Sequence, residues 1–447
     1  MNEHVNKLNF SMTRTWTLND EDLEIGRINY EEKQRYLKEV EMENERRNKE
    51  EKQRLLEMKK QEDNNRIDTC FKDVMTAVQM DKIPFFNVEW TEFILDKYME
   101  IMTDESIHSY LPKGRYFIVG DIHGDFQSLA YILRFIDVFS WLIHDENVKI
   151  VFLGDYVDRG SNSFEVYMTL LLFKLKFPNK ITLLRGNHED RYVNRNYSGS
   201  LDIDKNLQSK WYESYNFLQI CCTIGEEVFC IHGGVPVIIK GFKKKIWSYL
   251  PFDIQNDEQI INALWNDPMD NDTYINGDYA QSNRGTYIYR YGQNAVDSFC
   301  KLMEVSCIVR AHEVLFTPIK VTPDGKVLTV FSSINYWKNF DGMQQRNFAG
   351  MLYIDQVQQT LQPRFVPLQG FVDLSIFAGK NVSMYPPLDV LNAMLEEIDK
   401  ILNRREIEPE QATVTTIQST TGNQPDFVKD IDNGRNGDII KMEEEPF

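Results

Sequence analysis

Five short apolar runs, each ending abruptly in a polar loop, set the pattern of this chain: YFIVGDIHGD (116–125), VKIVFLGDYVDRG (148–160), KITLLRGNHE (180–189), EEVFCIHGG (226–234) and SCIVRAHE (306–313). Each run has the length of a strand and is apolar on both faces, as a strand buried inside layers must be. After the first loop Leu129, Ile132, Leu133, Ile136 and Phe139 recur at steps of three and four, and SFEVYMTLLLFKLKF (163–177) repeats the pattern after the second. That period is helical. Strand, loop and helix in alternation predict an α/β layered fold, whose ligands gather beyond the carboxyl ends of the strands. The pattern holds from Ile67 to Pro367, which we read as one domain, 67–367.

The flanks read differently. Residues 31–63 carry 11 acidic and 10 basic side chains, with Glu31 and Arg35, Glu45 and Lys49, and Glu50 and Arg54 at i, i+4 spacing. A single charged helix is expected over 31–66, preceded by a flexible segment, 1–30. No apolar residue occurs from Glu43 to Arg54, so the sustained a and d positions of a coiled coil are missing. The stretch LDVLNAMLEEIDKIL (388–402) has helical apolar spacing, with Pro387 and Asp389 as start signals, and defines a helical extension, 368–403. Residues 404–447 hold 10 acids against 5 bases and no periodic apolar face, the composition of a disordered tail.

Composition narrows the class. Across 447 residues, 42% hydrophobic and 12% aromatic side chains supply a core and exclude a wholly disordered or fibrous chain. A net charge of −18 has the wrong sign for neutralising nucleic-acid phosphates. The opening MNEHVNKLNF lacks an apolar stretch, and no run approaches the roughly 18 apolar residues that cross a bilayer. The expectation is a soluble intracellular protein, cytoplasmic or nuclear, that binds neither nucleic acid nor membrane. Six cysteines without C-x-x-C spacing read as buried thiols, not as a zinc site or disulfide framework.

The polar loops hold Asp121 and His123, Asp155 and Asp158, Asn187 and His188, His232, and His312, so four of the seven histidines lie in them. Any one pair alone is more often a capped turn. Together they form a mixed oxygen and imidazole set suited to Mn, Fe or Zn, and too large for one ion. Two ions about 3.5 to 4 Å apart, sharing a carboxylate, would use such a set in a hydrolytic centre.

In this order GDIHGD, GDYVDRG, RGNHE, HGG and RAHE resemble the metallophosphoesterase superfamily, and more narrowly the phosphoprotein phosphatase (PPP) family of protein serine/threonine phosphatases. LWNDP (264–268), NRG (283–285) and NYW (335–337) extend the resemblance to about residues 90–360. It implies a calcineurin-like sandwich of two mixed β-sheets flanked by helices, with 67–367 as the catalytic domain. It also implies two divalent metals, Mn or an Fe/Zn pair: Asp121, His123 and Asp155 would hold the first, and Asp155, Asn187, His232 and His312 the second. Arg159 and Arg284 would hold phosphate oxygens, and His188 paired with Asp158 would protonate the leaving serine or threonine oxygen. Tyr197 and Tyr336 fall on positions that line the substrate cleft. The implied reaction is in-line attack on a phosphoprotein by a hydroxide shared between the metals, with no phosphoenzyme.

Departures from the family pattern are Asp125 for a glutamine, expected to tune metal affinity; Asp190 after Glu189; Asn283 before the arginine; and SSINYW, which puts Trp337 in a groove position. The flanks match no calmodulin-binding, tetratricopeptide or EF-hand arrangement. A regulatory subunit would dock on the charged helix or on residues 388–402. Lys240, Lys243, Lys244 and Lys245 form a basic cluster that reads as a solvated helix start. Two other functions are compatible with parts of the pattern: a phosphoesterase acting on nucleotides or other small phosphoesters, and an inactive scaffold.

Overall fold

A computed structural model describes residues 20–136, 148–197, 203–255, 257–315, 319–336, 349–356 and 362–367. The chain separates into two compact units, Met1–Arg66 and Ile67–Phe447. The 368–403 extension and the 404–447 tail lie outside the described residues.

The charged segment is helical, but helix α1 spans Asp20–Gln79 and so exceeds the expected 31–66 at both ends. At the start, residues 20–30 are helix instead of flexible chain. Within the first unit most of the described side chains are exposed, Glu43, Asp63 and Arg66 being half-buried, and they are linked in rows: Arg46 bonds Glu43 at 2.8 Å and Glu50 at 2.9 Å, and Arg47 bonds Glu43 at 3.1 Å. Past Arg66 the helix becomes amphipathic. Ile67, Cys70, Phe71, Val74, Met75 and Val78 are buried at helical spacing, and Phe71 packs on Phe173 and Phe177 with centroids 4.9 and 5.5 Å apart. Apolar burial carries the helix past the charge-based boundary.

In the second unit two mixed sheets face each other. One orders as β14 (Gln362–Pro367), β13 (Gly350–Asp355), β2 (Arg115–Val119), β3 (Val148–Phe152) and β4 (Ile181–Leu183), with β2, β3 and β4 parallel. The other orders as β1 (His108–Leu111), β5 (Cys221–Ile224), β6 (Val228–Ile231), β10 (Cys307–Arg310), β12 (Val327–Val330) and β11 (Ile319–Val321). Side chains alternate between two cores. Tyr116, Ile118, Val151, Cys222, Cys230 and Val309 fill the space between the sheets, while Phe117, Val119, Ile150, Phe152 and Phe229 face the helices. Helices α3 (Phe126–Phe135) and α4 (Ser163–Lys176) make the crossovers that parallel strands require.

A third sheet was absent from the expectation: β7 (Asp267–Pro268), β9 (Tyr289–Tyr291) and β8 (Tyr279–Gln281). At two or three residues each, these strands are too short to show a period. The six cysteines form no disulfide; five are buried and Cys307 is half-buried. Burial pushes the Cys70 and Cys307 thiols up to about 12. No described helix is long and apolar enough to cross a membrane.

Candidate active site

The loops after β2, β3, β4, β6 and β10 meet at one end of the sandwich. They lock to one another through the backbone: His123 N–H donates to Asp155 O at 2.9 Å, Gly124 N–H to Tyr156 O at 2.8 Å, and Gly160 N–H to His123 O at 2.9 Å. Five non-glycine residues here have left-handed φ, namely His123 (50°), Asp155 (55°), Asp158 (69°), Arg159 (70°) and His312 (69°). Each costs about 1–3 kcal/mol and persists only where its surroundings over-determine it. Gly154 (φ 108°) permits a close approach in a left-handed backbone: a Cβ there would lie 2.3 Å from Gly186 N.

The fully buried Glu189 carboxylate does much of that locking. It accepts the N–H groups of Asp155 (2.8 Å), Tyr156 (2.7 Å) and Gly186 (2.9 Å), tying the β3 loop to the β4 loop. Arg185 Nε in turn donates to Glu189 O at 2.9 Å.

All six expected metal ligands are buried and converge. His123 Nε2 lies 3.5 Å from Asp155 Oδ2 and 3.9 Å from Asp121 Oδ2, and His232 Nε2 lies 3.3 Å from Asp155 Oδ1 and 3.0 Å from Asn187 Oδ1. Two groups of side chains able to hold a metal ion, His123, Asp155 and His188, and Asp155, His232 and His312, each have their ligand atoms within 4.8 Å and share Asp155; His188 in the first is the expected acid, not an expected ligand. The far ring nitrogens are engaged: His123 Nδ1 with Val157 O (3.1 Å) and His232 Nδ1 with Leu153 O (3.0 Å). Such bonds fix the tautomer that leaves Nε2 with its lone pair inward.

These residues fit divalent metal. Among the described residues, the buried Asp121 Oδ2 and His312 Nε2 have no hydrogen-bond partner, a costly state unless a cation supplies one. The charges say the same. Burial, then the Asp155 charge, pushes the Asp121 carboxyl up to about 7, and burial pushes His123 down to about 3. Burial also opposes the charge on Asp155, yet His232, His188 and His123 hold it well below the usual range. A doubly charged ion inverts this local balance and favours carboxylate and neutral imidazole together.

His188 Nδ1 bonds Asp158 Oδ2 at 2.7 Å, and the other carboxylate oxygen accepts Asn194 Nδ2–H at 2.6 Å. Asp155 Oδ1 accepts the His188 backbone N–H at 3.0 Å, and the His188 ring stands edge-on to His123 at 4.8 Å. Arg284 Nε donates to Asp267 Oδ2 at 2.6 Å, while the buried Arg310 donates to Asp267 Oδ1 at 2.7 Å and Glu313 Oε2 at 2.9 Å. Tyr336 packs 5.4 Å from the His123 ring; burial raises its hydroxyl, on which the charges of Arg159, Asp121, Asp155 and Arg284 all act. The structure thus gathers Asp121, His123, Asp155, Asp158, Arg159, Asn187, His188, His232, Arg284, His312 and Tyr336. Tyr197 ends helix α5 (Arg191–Tyr197), but its side chain, like Trp337, lies outside the described residues.

Sequence reasoning did not assign Glu189, Asn194, Asp267 and Arg310 the parts they play here. Asp267 of LWNDP and Arg310 of RAHE stood inside quoted motifs, which was the available signal. Asp125 gives its carboxylate to Ser128 and Asn335, capping α3. Asp190 is likewise local, accepting Tyr192 N–H at 2.8 Å. In the lysine cluster Lys243 donates to Leu302 O, Lys245 pairs with Asp257, and Lys240 and Lys244 are exposed.

A calcineurin-like phosphoesterase family model matches residues 114–316. The serine/threonine-protein phosphatase PP2A-like PPG1 of Saccharomyces cerevisiae is 31% identical over 54% of this chain and 67% of its own length. Serine/threonine-protein phosphatase PP1-delta of Caenorhabditis elegans is 29% identical over 54% of this chain and 75% of its own. The serine/threonine-protein phosphatase 4 catalytic subunit of Candida glabrata is 32% identical over 49% of this chain and 69% of its own. A solved S. cerevisiae protein serine/threonine phosphatase with similarity to human phosphatase PP5 shares the fold, at TM-score 0.55 and 21% identity over 65% of this chain and 93% of that one.

Proposed function

The chain belongs to the family of serine/threonine protein phosphatases within the calcineurin-like phosphoesterases, and from that membership we propose that it hydrolyses phosphoserine and phosphothreonine in proteins. The observation that carries the reading is the convergence of six buried side chains, Asp121, His123, Asp155, Asn187, His232 and His312, around Asp155. Asp121, His123 and Asp155 would hold one divalent ion, and Asp155, Asn187, His232 and His312 the second. When bound, such a pair lowers the pKa of water from about 15.7 towards neutrality and offsets phosphate charge. The donor set favours manganese or an iron and zinc pair.

The chain's own residues supply the remaining tasks. Asp158 holds His188 by Nδ1 and supports its positive charge, so Nε2 can carry a proton to the departing serine or threonine oxygen. Arg159 and Arg284 offer planar forks to the equatorial phosphate oxygens, where charge builds up in the transition state. Asp267 orients Arg284. A covalent phosphocysteine has no support in the structure, since burial raises the Cys221 and Cys230 thiols well above the ordinary range. We assign the docking of a regulatory subunit to the exposed part of α1 or to the segment 388–402, and the setting to cytoplasm or nucleus.

The deciding experiment compares a phosphothreonine peptide with a dinucleoside tetraphosphate, with manganese and with chelator. Metal-dependent release from the peptide, at a kcat/KM well above that for the nucleotide, is expected. The reverse preference makes the chain a small-molecule phosphoesterase. Silence on both leaves the scaffold reading.

A further inference from the structure

Asp125 sits two residues beyond His123, caps α3 and is buried, at 4% exposure. Donors alone surround its carboxylate. Ser128 gives its Oγ–H at 2.6 Å and its N–H at 3.2 Å; Asn335 gives its N–H at 3.0 Å and its Nδ2–H at 3.1 Å; Ser333 Oγ lies at 3.4 Å. Ser128 Oγ closes the clip by accepting Ile334 N–H at 2.9 Å. Residues 333, 334 and 335 are thus all tied to the first turn of α3, and the next residue is Tyr336. The same α3 turn follows directly on the loop that bears Asp121 and His123, and the Tyr336 ring stands 5.4 Å from the His123 ring.

We propose that Asp125 is a positioning residue for substrate: by clamping residues 333–335 to the first turn of α3, it fixes Tyr336 over the phosphate site. The inference rests on the phosphatase reading and on the cleft position of Tyr336. The clamp is one carboxylate shared by two separate segments, and bonds to a charged acceptor are about twice as strong as neutral ones. Removing it loosens the chain segment just before Tyr336, which keeps the bonds of Ile334 N–H to Ser128 Oγ and of Asn335 Nδ2–H to Gln127 Oε1, and leaves every expected metal ligand in place. The effect should therefore fall on substrate affinity.

The test is steady-state kinetics on a phosphothreonine peptide, with full-length, manganese-loaded protein. Asp125→Ala should raise KM about tenfold, the equivalent of one lost charge-assisted hydrogen bond, with kcat changed less than about threefold. Asp125→Asn keeps one acceptor oxygen for Asn335 and should recover most of the affinity. In a Tyr336→Ala background, Asp125→Ala should add no further rise in KM, because residues acting in series are not additive. Should Asp125→Ala fail to fold, Ser128→Ala breaks the same clip from its other side and should raise KM in the same sense. An unchanged KM in a folded variant, a loss confined to melting temperature, or effects that multiply in the double variant would each overturn the proposal. The wild-type rate on the same peptide reports separately on the phosphatase reading.

Discussion

At the scale of residues, the chemistry is concentrated in groups whose surroundings allow one role each. His188 is anchored through Nδ1 on a carboxylate that is itself held by Asn194. His188→Ala should lower kcat on phosphopeptide by about 10²–10⁴, the worth of a positioned general acid, with little change in metal content. Asp158→Asn should follow the same direction, since it leaves the ring poorly oriented; rates on an aryl phosphate, whose leaving group needs no proton, should fall less in both variants. The expected metal ligands, His188 and Arg159 could be read because each lies in a short motif at the end of an apolar run, whereas Arg284 stands in NRG with no such run before it and was read from the family resemblance alone. Asp267, Arg310 and Asn194 were not legible in their roles, because they act across 17 to 43 residues of chain, as in Arg284 to Asp267 and Arg310 to Asp267. The part Asp125 plays was hidden for a related reason: besides the nearby Ser128, its partners Ser333 and Asn335 lie about 210 residues away in sequence.

At the scale of elements, the site is made of strained loops braced by rigid strands. Gly154→Ala would place a Cβ 2.3 Å from Gly186 N in a left-handed backbone. Overpacking and strain together should lower stability by about 3 kcal/mol, read as a shift in the urea midpoint without a change in slope. The strand and helix alternation and the layered α/β class were readable from period alone, since buried parallel strands are apolar on both faces. Helix α1 shows the limit. Its i, i+4 charge pairs identified the exposed part, but Ile67 to Val78 carried a stripe that reads equally as the start of a domain. Only packing on Phe173 and Phe177 shows that one helix continues through it. The small sheet of β7, β8 and β9 was missed because two-residue and three-residue strands have no measurable alternation.

At the scale of the molecule, stability and metal content are the properties to measure. His108, in edge strand β1 and outside the ligand loops, is buried against Thr223 Oγ1 at 2.8 Å, and burial pushes it down to about 4. Above pH 6.5 the ring is neutral folded and unfolded. Between pH 6.5 and 4 the unfolded chain binds a proton that the folded chain refuses, so stability should fall as pH falls, by up to about 3 kcal/mol, and level off below 4. Denaturation midpoints at pH 7 and 5 should differ less in His108→Gln, which keeps a partner for Thr223 and does not titrate. Catalysis would depend on two ions that share Asp155, and titrating metal-free protein with manganese while following phosphate release tests this dependence. The rate should rise to a plateau at two equivalents, and Asp155→Asn should hold fewer ions and lose at least about a thousandfold in rate. Full activity in chelator, or an Asp155→Asn protein that binds two ions and turns over like the wild type, would contradict it.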